Sequence, residues 1–194
     1  MGDRRHGITI AVIGAGQLGR KLALKFAESE LRVILEDVMP ANLRHAEMEL
    51  AQLDHGAENL SFTTSIEAAV READIAIDFV PDELESKLEI FCLLDRMAPP
   101  RTILCTPTRA MSITDLASCT YRAEHCVAVC GEAGSELSLA DAEAIRILRG
   151  PATSDATVEL VQGIFQQIAK ATSVLNDPAL PVLVKNAHRV AVKN

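Results

Sequence analysis

Aromatic side chains are scarce in this chain: Phe, Tyr and Trp together make up 3% of 194 residues, with one Tyr and no Trp. The interior must therefore be aliphatic, drawn from Ile, Val, Leu and Ala within a hydrophobic content of 48%. Such a core suits a parallel sheet covered by helices. A surplus of positive charge is missing too. The net charge is −8, which argues against nucleic acid or an anionic membrane as partner, because both need a basic face. No apolar run approaches the roughly 18 residues that cross a bilayer, and residues 1–7 are polar and basic with no signal-peptide core. A soluble, cytoplasmic protein is expected. The five cysteines (Cys92, Cys105, Cys119, Cys126, Cys130) include no C-x-x-C pair. No metal site is expected from them, and they read as buried structural thiols in a reducing compartment. Internal repeats, low-complexity segments and linkers are likewise lacking.

What is present is an alternation of apolar runs and helical patterns with little filler. Strands are expected over residues 8–13, 32–36, 60–63, 73–80, 102–105, 126–130, 144–148 and 173–175. Helices are expected over 17–30, 39–53, 65–72, 82–97, 113–119 and 154–170, with Ser65 and Ser112 placed to cap two of them. Alternation of this kind predicts an α/β fold: a Rossmann-type, doubly wound, mostly parallel sheet with helices on both faces. One dinucleotide-binding domain is expected over residues 1–177, followed by a tail, 178–194, and no second domain.

The first strand runs into Gly14-Ala15-Gly16-Gln17-Leu18-Gly19, a G-x-G-x-x-G turn that opens a helix. Gly14 permits the tight turn, Gly16 lets the backbone approach a pyrophosphate and Gly19 allows close packing of helix on strand. The helix start, Gln17 and Leu18 included, offers free N–H groups to that anion. Asp37 ends the next strand 18 residues beyond Gly19. A carboxylate there can accept both hydroxyls of a ribose and would repel a 2′-phosphate, which points to NAD rather than NADP.

In order, these segments resemble the NAD-binding domain of the 3-hydroxyacyl-CoA dehydrogenases. The likeness runs from about Ile8 to Asn176 through AVIGAGQLGR, VILEDV, ADIAIDFVPDELESK, ILCTPTRAMSIT and RGPATSD. It implies NAD-dependent oxidation of 3-hydroxyacyl-CoA in fatty-acid metabolism, with an acyl-CoA-like or other anionic small molecule as ligand. On the cofactor side it carries Gly14, Gly16, Gly19 and Asp37, and it sets Val80, Pro81, Asp82 and Lys87 beside the nicotinamide ribose. Asp82 replaces the family's usual Glu. For Asp82 the residues alone equally allow a helix-start carboxylate, and for Lys87 a solvated helix position.

The catalytic half departs from the pattern. Cys130 stands where the family's H-F-F-N-P segment has its general-base His, and Gly131-Glu132-Ala133-Gly134 replaces the rest. Arg146 stands where a Glu orients that His, and Arg109 falls on the Ser of the S-N-T-S-S loop. A thiol ending an apolar strand is a poor base. Arg109 and Arg146 together would suit an anionic ligand, or each pairs with a local carboxylate such as Asp115 or Glu143. Glu132, Glu136 and Asp141 read as a solvated loop, His6, His45 and His55 as solvated, and His125 as a surface residue; spacing places nothing for His188. The worn segment from Asp177 to Asn186 leaves Leu180, Val182, Leu183 and Val184 without a place in the core. They are expected to dock on the domain or to join two copies as a homodimer. Two functions stand open at this point: an oxidoreductase with a rebuilt catalytic centre, and a dinucleotide-binding regulatory or subunit module without chemistry of its own.

Overall fold

The computed structural model describes residues 7–109, 111–131 and 138–184. Eight strands form one sheet in the order β3-β2-β1-β4-β5-β6-β7-β8. They are β1 (Thr9–Ile13), β2 (Arg32–Glu36), β3 (Leu60–Thr63), β4 (Ile75–Asp78), β5 (Ile103–Pro107), β6 (Cys126–Gly131), β7 (Ala144–Arg149) and β8 (Ala171–Asn176). All neighbours pair in parallel except β6 and β7. The strand order reverses between β1 and β4, so the crevice of the doubly wound sheet opens there at the carboxyl edge.

Three helices cover each face. On one lie α1 (Gln17–Glu28), α2 (Pro40–Leu50) and α6 (Asp155–Phe165); on the other lie α3 (Ile66–Val70), α4 (Leu84–Met97) and α5 (Ile113–Ala117). The central strands are buried on both faces, so β1, β4, β5 and β6 read as unbroken apolar runs rather than alternating ones. The few aromatics are used sparingly: Phe26 of α1 and Phe165 of α6 meet with centroids 5.6 Å apart. Helix α1 stops at Glu28, two residues before the expected end, and the chain then turns through Glu30 at φ 62°. Helix α6 ends at Phe165 rather than at residue 170, which frees the following chain to form the longer edge strand β8. At the amino end of β6, buried Arg122 holds the end of α4: Nε donates to Asp95 Oδ1 at 2.8 Å and Nη2 to the Asp95 and Ala98 carbonyls. Those are carbonyls that a helix end leaves without partners.

The tail docks, but by its backbone. The Asp115 carboxylate accepts the amides of Val182, Leu183 and Val184 at 2.6, 3.0 and 3.1 Å, while Leu180, Val182 and Leu183 keep their side chains exposed. Asp177 anchors the preceding turn through Ser112 Oγ and the Ile113 and Ala179 amides. Asp115→Ala should therefore speed hydrogen exchange at amides 182–184 by about tenfold while the sheet amides stay protected, since only local opening is affected. Unchanged exchange there would mean that the tail is held by something else.

Candidate functional site

The turn after β1 has the geometry that its sequence demands. Gly14 sits at φ +102°, a conformation L side chains rarely adopt, and donates its N–H to the Glu36 carbonyl at 2.8 Å. A Cβ on Gly19 would lie 2.0 Å from the Gly14 carbonyl oxygen and 3.2 Å from the Phe79 ring, so the helix start presses directly on the turn. Gly16 differs from both. A Cβ there would meet nothing within 4 Å, so packing does not ask for glycine, and the space beside it is free for a ligand. Gly16 caps α1 with no side-chain cap, and the first turn carries no acidic residue. The free N–H groups of that turn suit a diphosphate.

Beside the turn lies a hollow of about 190 Å³ lined by Gly16, Gln17, Leu18, Gly19, Phe79, Val80, Lys87 and Pro107. It joins the fingerprint loop to the ends of β4 and β5 and thus brings together six of the ten cofactor residues expected from sequence. Pro81 is exposed and does not line it. Asp37, just past β2, accepts the Ala15 amide at 2.8 Å and Asn42 Nδ2 at 3.0 Å on Oδ2, and the Met39 amide at 2.8 Å on Oδ1. A carboxylate has about four acceptor positions, and these three bonds leave one of them open.

Lys87 is not a solvated helix residue. It is 1% exposed, and its Nζ lies 2.7 Å from Oδ1 of Asp78, which is wholly buried at the end of β4. Burial pushes the Asp78 carboxyl above its usual range, against the pull of Lys87, and its Oδ2 has no hydrogen-bond partner. The same burial, with Asp78 nearby, raises the Cys105 thiol. Asp82 precedes α4 and reaches across to the loop after β5, where its Oδ2 accepts the Arg109 amide at 3.2 Å and faces Arg109 Nε at 3.6 Å. The partner of Arg109 is thus Asp82, not Asp115 or Glu143: Asp115 holds the tail, and Glu143 pairs with Lys170.

At the end of β6 the antiparallel register sets Cys130 opposite Arg146, and directly opposed residues share one face of the sheet. Burial raises the Cys130 thiol, with Arg146 pulling it down. Thr108 donates to the Val129 carbonyl at 3.1 Å, which brings the loop carrying Arg109 to the same edge. Of the remaining titratable residues considered from sequence, Asp141 is exposed and held below its usual range by Ser138 and Lys21. His45 and His55 are exposed, whereas His125 is half-buried against Thr157. Cys92 and Cys119 are only half-buried, unlike the other three cysteines. Glu132, Glu136, His6 and His188 lie outside the described residues.

Sequence reasoning missed two acids. Asp78 is one, and Glu36 the other. Glu36 ends β2 in register with Ile13, which is itself in register with Asp78, so all three face α3 and α4. Glu36 is 2% exposed and its Oε1 has no partner. Burial and the adjoining Asp37 carboxylate push its pKa up to about 7. A charged residue closing an apolar run in phase with Ile34 was the available signal. Because the folded pKa lies above the unfolded value, the folded state binds the extra proton. Stability is therefore lost as pH rises from about 4.5 through 7, by about 3 kcal/mol once ionisation is complete. Glu36→Gln should match the parent near pH 4 and exceed it by about that much at pH 8 in urea denaturation. Equal stabilities at pH 8 would contradict the buried, ionising carboxyl.

A family model described as "3-hydroxyacyl-CoA dehydrogenase, NAD binding domain" matches residues 9–178. The chain is 28% identical over 192 residues to a probable 3-hydroxybutyryl-CoA dehydrogenase of Bacillus subtilis, covering 91% of this chain and 64% of that protein. It is 30% identical over 178 residues to an L-carnitine dehydrogenase of Burkholderia mallei, covering 86% and 52%. Among solved structures, a 3-hydroxyacyl-CoA dehydrogenase of Archaeoglobus fulgidus superposes with a TM-score of 0.75 at 25% identity, covering 89% of this chain and 58% of that one. The chain spans about half to two thirds of the length of these relatives.

Proposed function

The chain belongs to the 3-hydroxyacyl-CoA dehydrogenase family through its NAD-binding domain, and from that premise we propose that it binds NAD without oxidising alcohols at the family's usual base. The observation that carries this is the cross-strand pair Cys130–Arg146. When bound, NAD supplies a hydride acceptor; the protein's part is to hold it and to manage the hydroxyl proton. For holding it, the residues fit. The N–H groups opening α1 would meet the diphosphate, the space beside Gly16 would admit it, and Asp37 keeps one acceptor position for the ribose. Asp37 disfavours a 2′-phosphate by charge, so NADP is the weaker ligand. Val80 and Lys87 line the side of the same hollow where the nicotinamide would lie, with Asp78 fixing the ammonium and Asp82 fixing the loop of Arg109.

For managing the proton, they do not fit. Arg146 has no acceptor to offer, and the Cys130 thiol is pushed away from ionising by burial. Losing a well-placed base costs about 10²- to 10⁴-fold in rate. The chain on this reading is a dinucleotide-binding regulatory or subunit module, and an acyl-CoA-like or other anionic molecule is the class of second ligand that Arg109 and Arg146 would favour. Family membership itself supports a second reading, an oxidoreductase with rebuilt catalytic groups. Calorimetric titration with NADH and NADPH, followed by turnover of acetoacetyl-CoA with NADH, separates the two. We expect NADH to bind more tightly than NADPH, with turnover at least ~10²-fold below an ordinary dehydrogenase rate. Ordinary turnover would overturn the module, and tighter binding of NADPH would overturn the role of Asp37.

A further inference from the structure

We propose that Glu36 reads the adenine base of the bound dinucleotide, its buried carboxyl group accepting a hydrogen bond from the 6-amino group. The inference rests on the NAD reading above and deepens it. Glu36 belongs to the cofactor edge by three links. Its carbonyl oxygen holds the Gly14 amide at 2.8 Å, its neighbour Asp37 holds the Ala15 amide at 2.8 Å, and it stands in register with Ile13 at the foot of the glycine turn. With the diphosphate at the start of α1 and the ribose at Asp37, the base would come down over the end of β2. Side chains alternate along a strand, so Glu36 points away from the α1 side, toward α3, whose first turn also lies at this edge.

The carboxyl group is an acceptor left waiting. Its Oε1 is shielded from water and has no partner, and no cation pairs with Glu36 among the described residues. Asp78 and Asp82 also each keep one buried oxygen unpartnered, but their carboxylates are answered by Lys87 and Arg109. Native structures rarely leave such a group unmet without a use for it. Adenine offers an N–H donor at its 6-position, with a ring nitrogen beside it. Hypoxanthine offers a carbonyl oxygen there, which would face the carboxyl group acceptor to acceptor. The ribose does not meet the need, because Asp37 serves it.

The test is a calorimetric comparison of NAD with nicotinamide hypoxanthine dinucleotide, which differ in the 6-amino group, replaced by an oxo group, and in the adjoining N1, which becomes an N–H. The parent protein should bind NAD about tenfold more tightly, as expected when a buried acceptor gains or loses its donor. Glu36→Val and Glu36→Ala should bring the two ligands to equal affinity by weakening NAD. Glu36→Gln, whose amide offers both a donor and an acceptor and so can turn to pair with either base, should reduce the preference. Asp37→Ala should weaken both ligands equally and preserve their ratio. Equal binding by the parent, a ratio that survives Glu36→Val or Glu36→Ala, or an equal loss for both ligands in those variants would overturn the proposal. If neither dinucleotide binds the parent protein, it is the NAD reading that fails.

Discussion

Replacing Lys87 with Met will cost the fold about 3–5 kcal/mol at pH 8, the usual penalty for removing one partner of a buried ion pair. The pair has no recourse to solvent: Asp78 is wholly buried, Lys87 is 1% exposed, and their charged atoms are 2.7 Å apart. Without the ammonium, the carboxylate is left in an apolar layer beside Ile13 with only the Thr106 hydroxyl and the Val80 backbone to favour its charge. Its escape is to take up a proton, and burial already favours that form. The loss must therefore shrink as the solution is acidified, because the variant's folded state then holds the proton that the unfolded state lacks. Urea denaturation at pH 8 and pH 5 measures both effects. The double variant Asp78→Leu/Lys87→Met should recover most of the loss, since an apolar pair removes the stranded charge altogether. A single variant within 1 kcal/mol of the parent at pH 8 would mean that solvent reaches Asp78 after all.

Gly19→Ala will lower NAD affinity by about 100-fold and lower the melting temperature as well. A Cβ 2.0 Å from the Gly14 carbonyl oxygen cannot be absorbed by a side-chain movement. The carbonyl is part of a turn at φ +102° that is tied to β2 through the Glu36 carbonyl. Either α1 moves outward or the turn deforms, and both displace the N–H groups that meet the diphosphate. Overpacking costs about 1–3 kcal/mol, whereas Ala gains about 1 kcal/mol over Gly inside a helix. The clash therefore outweighs the propensity. Gly16→Ala is the matching control. Its Cβ meets nothing in the protein, so the melting temperature should hold while the affinity falls, because the methyl group occupies the ligand's space. If Gly19→Ala melted like the parent and bound NAD like the parent, the close contact between helix and turn would be refuted.

Much of this arrangement could be read from residue order. The alternation of strands and helices gave the doubly wound sheet, and the glycine spacing placed the cofactor edge, because both are local signals carried within a few residues. Pairings between distant elements left no such mark. Nothing near Lys87 announced that Asp78 would meet it across the β4–α4 connection, since a lysine on a helix is ordinarily solvated. Glu36 is hidden for a similar reason: a charged residue closing a strand is ordinarily solvated, and only the sheet register shows it packed in line with Ile13. The tail was legible only in part. Its apolar residues suggested burial of side chains, but the domain grips its amides through Asp115, a contact to which side-chain pattern is blind. The antiparallel turn of β7 against β6 was equally hidden, although it is what sets Cys130 and Arg146 face to face.

That grip on three successive amides has a geometric corollary. A single carboxylate that collects the N–H groups of Val182, Leu183 and Val184 fixes the position and the heading of the backbone as it leaves the domain. Residues 182–184 are thus pinned at a single point, and Asp115 on α5 is that point. Helix α5 follows directly on the loop of Arg109. One short stretch of chain therefore joins the loop that faces the sheet edge to the carboxylate that pins residues 182–184.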